Sequence, residues 1–420
     1  MTGITPTFTT TLPRLERSLQ IPFLLALFCV PFATALTNLW AALTLLGFLA
    51  LLATSRDVRA TVLSLPAILA LALLALYAAG TTWSIGPLDD VGDALRKYSR
   101  LLILPVALTL SLRDPRLAQR ALLAFLAGAA VLALSCYLVW FEAMPASSQG
   151  WWRIGDKADA FAFKNHITVG ILLGFSAACC ALAGTYAVGA RRLAWAAGVV
   201  LFSIPTVFLS QGRTGYVALF AGLGVVVLLR ARRNLPAAAL GVGALIAAFA
   251  VFYATSDNFK LRTEQMVSEI GTQQPRSPNG LRLSYMQHGL AIVAEHPFIG
   301  QGTGSFAESL APIARRDWAG HETMEFARHQ PHSEVLLVTV QLGLAGLAVY
   351  LALLGSLARP GLLLRALHND MLMLLLAVYG LTSLFNSLLW DTTEAYWFLL
   401  LSGALYAGAQ RTLHERQAAG

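Results

Sequence analysis

About a dozen runs of roughly twenty apolar residues follow one another along the chain, and that length decides the solvent. A straight helix needs about 20 such residues to cross the hydrocarbon core of a bilayer. In that medium each backbone N–H and C=O must be satisfied within the helix itself. The runs lie near 20–36, 38–54, 62–82, 98–112, 117–141, 165–187, 193–210, 214–230, 235–255, 332–357, 370–389 and 394–410. They predict an all-α, polytopic membrane protein with about 12 transmembrane helices. One long interruption, 256–331, separates nine predicted spans within 1–255 from three within 332–420. Composition agrees: 57% of the 420 residues are hydrophobic and 12% charged, against roughly 25% charged in a soluble domain. Arg14, Glu16 and Arg17 precede the first run, but no small-residue cleavage pattern ends it, so it reads as an uncleaved first helix. Cys29, Cys136, Cys179 and Cys180 lie inside apolar runs and read as small core residues, with no metal or disulfide pattern.

Orientation follows from the cations, because short cytoplasmic loops collect Lys and Arg. With both termini cytoplasmic, 16 of the 30 Lys and Arg fall in short inner segments such as Arg56–Arg59, Arg113–Arg120 and Arg230–Arg233. Seven of the others lie in the loop 256–331, which is long enough to translocate regardless of charge. The net charge of +8 therefore reflects membrane orientation. The basic residues form no stripe, so nucleic acid is not an expected partner, whereas membrane lipids are.

Polar chemistry gathers on the predicted outer side. His166, His288, His296, His321, His329 and His332 fall there, and only His368 and His414 inside. In Ser210-Gln211-Gly212-Arg213-Thr214-Gly215 a short turn holds Arg213 at the outer boundary. A snorkelling arginine explains it; a fixed cation aimed at a lipid phosphate explains it equally well, since snorkelling alone does not need the flanking glycines. In the loop, Met286, Leu290 and Val293 recur at helical spacing on the face headed by Arg282, with Asn279-Gly280 before and Pro297 after. That pattern predicts an amphipathic helix lying along the bilayer, with Tyr285 beside the same arginine. Gly300-Gln301-Gly302-Thr303-Gly304 reads as a glycine-rich turn, since a nucleotide loop needs a preceding strand. In Arg328-His329-Gln330-Pro331-His332-Ser333-Glu334, Pro331 suits a first helical turn, which would put His332 at a helix N-terminus. The positive end of the helix dipole disfavours imidazolium, leaving a neutral general base. A zinc site from His321, His329 and His332 is the weaker reading, because Pro331 interrupts the helix that would align them.

These residues carry a family likeness. His332-Ser333, nine residues, then Gly343-Leu344-Ala345-Gly346 resembles the histidine motif of O-antigen ligases, and Ser210-Gln211-Gly212-Arg213 resembles their short outer-turn arginine motif. Val217 stands where that motif often has Leu. The segment from Arg282 to Phe306, with Glu295-His296-Pro297-Phe298-Ile299-Gly300, resembles the loop shared by ligases, O-antigen polymerases and pilin oligosaccharyltransferases. Motif agreement is confined to 205–230 and 280–346. The resemblance implies a GT-C-like, inverting glycosyltransferase that needs no metal or other cofactor. Its donor would be an undecaprenyl-diphosphate-linked O-antigen and its acceptor lipid A–core, joined at the periplasmic face of a Gram-negative inner membrane. Arg213 and Arg282 would hold the diphosphate, and His332 would be the base. Asp391, in an outer turn, is the candidate to orient the imidazole; Lys164, His166, Tyr285 and Arg328 are further candidates for substrate contact. Trp151 and Trp152 read first as interfacial belt residues. A polymerase or a protein O-oligosaccharyltransferase is the near alternative. A secondary transporter is remote, because no repeat between halves is visible and few charges sit mid-span.

Overall fold

A computed structural model of the chain describes residues 14–144, 146–147, 154–231, 234–272, 278–317 and 330–419. Its helices are α1 (Arg14–Cys29), α2 (Thr34–Thr54), α3 (Arg56–Val62), α4 (Leu65–Ala79), α5 (Leu88–Tyr98), α6 (Ile103–Arg113), α7 (Leu117–Trp140), α8 (His166–Tyr186) and α9 (Ala190–Ile204). They continue with α10 (Arg213–Ala231), α11 (Leu235–Thr255), α12 (Asp257–Thr272), α13 (Pro278–Glu295), α14 (Phe306–Asp317), α15 (Glu334–Leu363), α16 (Leu367–Ser383) and α17 (Thr392–Ala419). Eight helices among the described residues are long and apolar enough to cross a membrane, against the twelve runs expected. The difference lies in particular runs. The fourth is a 3-10 turn, Ser99–Leu102, leading into the eleven-residue α6, which is too short to span as a straight helix. From Ile103 to Ser111 α6 is buried on every side, as a helix apolar all round must be. The first run shortens to the 16 residues of α1 and the eleventh to the 17 of α16, while the twelfth falls in α17, whose 28 residues are long enough but less apolar than the eight.

Two features of this bundle position the site. First, α8 and α10 run in parallel in close backbone contact. A Cβ on Gly170 would lie 2.7 Å from Gly215 Cα, one on Gly174 2.8 Å from Leu219 N, and one on Gly212 2.4 Å from His166 O. Small residues let membrane helices approach this closely. The glycines beside Arg213 therefore serve helix packing, and their presence does not by itself point to a ligand.

Second, α15 is broken at Gly343, whose φ of +63° and ψ of −162° are open essentially to glycine alone. The Pro297–Gly304 segment threads into the break. Leu344 N–H donates to Pro297 O (2.7 Å) and Ala345 N–H to Phe298 O (3.1 Å). In return Gln301 N–H donates to Val340 O and Gly302 N–H to Gln341 O, both at 2.9 Å. A broken membrane helix is tolerated when its freed backbone groups find partners in this way. The turn is tied further to α4 through Thr303 Oγ1, which donates to Tyr77 O at 2.6 Å. The glycine-rich turn is thus a structural plug whose backbone N–H groups are spent on protein carbonyls, and it offers no cradle for a nucleotide phosphate.

Candidate active site

Arg213 is the first residue of α10, where the unpaired N–H groups of the helix make a cation unfavourable. A π-turn, Pro205–Leu209, ends the preceding helix and sets Ser210 down with its N–H on Pro205 O. Two carboxylate contacts offset the dipole: Arg213 NH1 and NH2 fork onto Glu269 Oε2 (2.7 Å) and Oε1 (2.8 Å) of α12, and NH2 also reaches Gln265 Oε1 at 3.2 Å. α12 is anchored for this by its first turn, where Ser256 Oγ donates to Val207 O and Asn258 Nδ2 to Phe208 O.

Arg282 projects from the first turns of α13. Tyr285, Gly289 and Ile292 of that helix are buried, and Gly289 lies so near α15 that a Cβ would meet the Leu336 side chain at 2.7 Å. The face docked on the protein is thus the one with Tyr285, Gly289 and Ile292. Met286 and Leu290 are 44% and 60% exposed, which leaves a second apolar face open. Arg282 makes no hydrogen bond or ion pair with a described residue. Burial, and behind it the charge of Arg213, lowers its pKa, while Glu269 opposes the shift.

His332 stands one residue outside α15. Ser333 is the N-cap, its side chain accepting from Leu336 N–H, and Pro331 lies before it. The expectation that Pro331 opens the helix is corrected: the hydroxyl cap starts α15 two residues later. His332 has a φ of +52°, a conformation L-residues rarely adopt. The ring of Tyr285 packs 6.4 Å from the imidazole, tilted by 44°. Tyr285 is fully buried. Burial of His332, and next the charge of Arg282, lowers its pKa to about 4. The neutral state of the imidazole thus arises mainly from desolvation.

Arg213, Arg282 and His332 line one cavity of about 370 Å³, with Met266, Leu336 and Phe385 among its apolar walls. Two guanidinium groups close enough to repel one another, beside an uncharged imidazole, are chemically able to hold a polyanion and to accept a proton next to it.

Asp391 lies elsewhere. It does not line this cavity and makes no hydrogen bond to His332; its charged neighbours are Glu394, Glu334, Lys97 and Arg100. Burial and the two glutamates hold its carboxyl well above the usual carboxylate range. Around it Arg100 donates to Trp390 O (3.2 Å) and Thr392 Oγ1 (2.7 Å), and Lys97 lies 3.7 Å over the Trp390 ring. Lys164 belongs to this second cluster, with its Nζ on Thr393 Oγ1 at 2.7 Å, and burial lowers its pKa to about 8. His166 pairs with Asp159 at 2.9 Å. Arg328, His321, His329, Trp151 and Trp152 lie outside the described residues.

Sequence reasoning missed Glu334 and Glu269. Glu334 is wholly buried two residues after His332; its Oε2 accepts Leu389 N–H (2.8 Å), its Oε1 accepts Tyr98 OH (3.1 Å), and its own N–H donates to Asn386 O (3.2 Å). It ties the start of α15 to the segment whose Leu384 and Phe385 wall the cavity. An acidic residue opening an apolar run was the available signal. Glu269 gave none, since an exposed and a paired glutamate look alike in sequence.

Residues 197–351 match the family model described as O-Antigen ligase, a stretch that takes in Arg213, Arg282, His332 and the broken turn at Gly343. No curated protein matched the chain in a sequence search.

Proposed function

Taking as premise that residues 197–351 match the O-antigen ligase family model, we propose that the protein transfers a glycan from undecaprenyl diphosphate to lipid A–core. The observation that carries this reading is the convergence of Arg213, Arg282 and His332 on one cavity. A lipid diphosphate is already a good leaving group and needs charge neutralisation more than protonation. Planar guanidinium groups supply that through paired N–H donors. The acceptor hydroxyl is a weak nucleophile until its proton is removed. His332 takes that proton onto a ring nitrogen as the hydroxyl oxygen bonds to the anomeric carbon. The bond from that carbon to the diphosphate oxygen breaks on the opposite face, so configuration inverts, and the lipid diphosphate leaves with its negative charge on Arg213 and Arg282. Arg213 is paired with Glu269 before substrate arrives, so donor binding includes exchange of the Glu269 carboxylate for phosphate. The reaction is assigned to the periplasmic face of the inner membrane, with both termini cytoplasmic, from the distribution of Arg along the chain.

The test is transfer by purified protein supplied with a lipid-diphosphate glycan and lipid A–core, read as a shift in product size. His332→Ala should fold and lose transfer by about 10²–10⁴-fold, the usual weight of a general base. Near-normal transfer by that variant removes His332 from the mechanism. Elongation of the lipid-linked glycan, with lipid A–core left bare, would assign the protein as a polymerase instead.

A further inference from the structure

We propose that a second, polar cavity beside the turn of Arg213 binds an uncharged stretch of saccharide, the outer sugars of the donor glycan, and so contributes to the choice of glycan. This rests on the transfer reading above and adds where the sugars beyond the reacting one lie. The cavity has a volume of about 660 Å³ and is lined by Ser147, Gly155, Asp156, Asp159 and Phe161, among others. It shares no lining residue with the cavity that contains His332. Its residues also precede the stretch 197–351 that matches the family model.

The segment that forms it, 154–163, joins α7 to α8 and is tied down although it contains no helix. Ser147 and Ile154 exchange two backbone hydrogen bonds (3.1 and 3.0 Å), and Gly155 N–H donates to Phe161 O (2.9 Å). Ala160 N–H donates to Leu209 O at 2.7 Å, which fixes the segment to the π-turn before Ser210. Its side chains then fasten to the arginine turn itself. Asp159 Oδ1 accepts Gln211 N–H at 2.8 Å, and Gln211 Nε2 donates to Ala158 O at 3.1 Å. His166 Nδ1 lies 2.9 Å from Asp159 Oδ2 and braces that carboxylate. The cavity wall is therefore bonded to the residue two before Arg213.

The lining suits sugar hydroxyls. A carboxylate has acceptor sites for several of them at once. Asp156 spends Oδ1 on the N–H groups of Ala158 (2.8 Å) and Asp159 (3.0 Å) and makes no bond through Oδ2 among the described residues. Phe161 adds an apolar ring for the C–H face of a sugar. No cation lines the cavity, and the neighbouring Lys157 is paired with Glu142 at 3.3 Å. An anionic saccharide would be repelled, which leaves a neutral one. The donor is the source that the position selects. Its glycan is bonded directly to the diphosphate assigned to Arg213, so its sugars start at the turn to which Asp159 is tied. The reacting sugar stays beside His332, and those after it cross Gln211 into the cavity.

The experiment uses two donors on the same lipid diphosphate, one carrying a single sugar and one an oligosaccharide of several repeats, with lipid A–core as acceptor. Asp156→Asn keeps the oxygen that accepts the loop N–H groups and removes the charge, and Ser147→Trp fills the cavity. Each should raise KM for the oligosaccharide donor about fivefold, the weight of one lost hydrogen bond. KM for the single-sugar donor, which does not reach the cavity, should stay at the wild-type value. An unchanged KM for the oligosaccharide donor in both variants overturns the subsite, and a rise confined to KM for lipid A–core overturns the donor assignment. Equilibrium binding of the same oligosaccharide, freed from its lipid diphosphate by mild acid, separates this from failure of the transfer reading. Binding by the wild-type protein that Asp156→Asn weakens keeps the subsite even where no glycan moves. Absent binding, or equal binding by the two, overturns it.

Discussion

Replacing Gly343 with alanine should dismantle the site without touching any residue that lines it. Three quantities set the size of the effect. Alanine at φ +63°, ψ −162° costs about 1–3 kcal/mol in backbone strain. Its Cβ would lie 2.4 Å from both Phe298 C and Phe298 O and 2.5 Å from Ile299 N, backbone atoms that cannot turn away. The Pro297–Gly304 segment must therefore back out, surrendering the four hydrogen bonds it exchanges with α15. At about 1 kcal/mol net for each bond, the total is roughly 5–7 kcal/mol, comparable to the whole stability of many domains. The assay is thermal unfolding in detergent, followed by glycan transfer on whatever protein survives purification. Gly355→Ala in the same helix is the control, since a Cβ there meets nothing within 4 Å. If Gly343→Ala melts with the control and transfers normally, the interlock of α15 with the turn does not exist as described.

Three further outcomes follow from the same geometry. Glu334→Gln should retain one acceptor and present an N–H to a donor, costing about 1–3 kcal/mol of stability; because Glu334 ties the start of α15, two residues after His332, to Tyr98 and Leu389, kcat should fall more than KM, and an equal change in both would make the residue merely structural. Glu269→Gln should lower the donor KM severalfold, since a competing anion leaves the Arg213 fork, and a higher KM would show that Glu269 helps to bind the donor. With the His332 pKa at about 4 rather than 6.5, the base stays neutral through mildly acid pH, so kcat/KM for transfer should fall only as pH approaches 4. The same depression means that the unfolded chain takes up the proton first, so this residue's contribution to stability is lost as pH falls from 6.5 toward 4 and is constant above. An acid limb near 6.5 would place the imidazole in water.

The apolar runs alone determined that this chain is a helical membrane protein, because backbone groups in lipid have so few ways to be satisfied. Unusual residues in short turns, Arg213 and His332 above all, were legible for the same reason: a polar group at membrane depth is costly and stands out against its neighbours. Pairing was not legible. That Asp391 faces Lys97 and Arg100 instead of His332, that Glu269 occupies Arg213, and that α13 docks through Tyr285 and Ile292 all depend on which distant segments meet. Gly343 stood out in the sequence only as part of Gly343-Leu344-Ala345-Gly346 after His332, and only the segment threaded against it gives its conformation a purpose. Solvent preference is a property of each stretch of chain and can be read one stretch at a time. The partner of a charge, or of a freed carbonyl, is a property of two stretches, and the fold chooses the second.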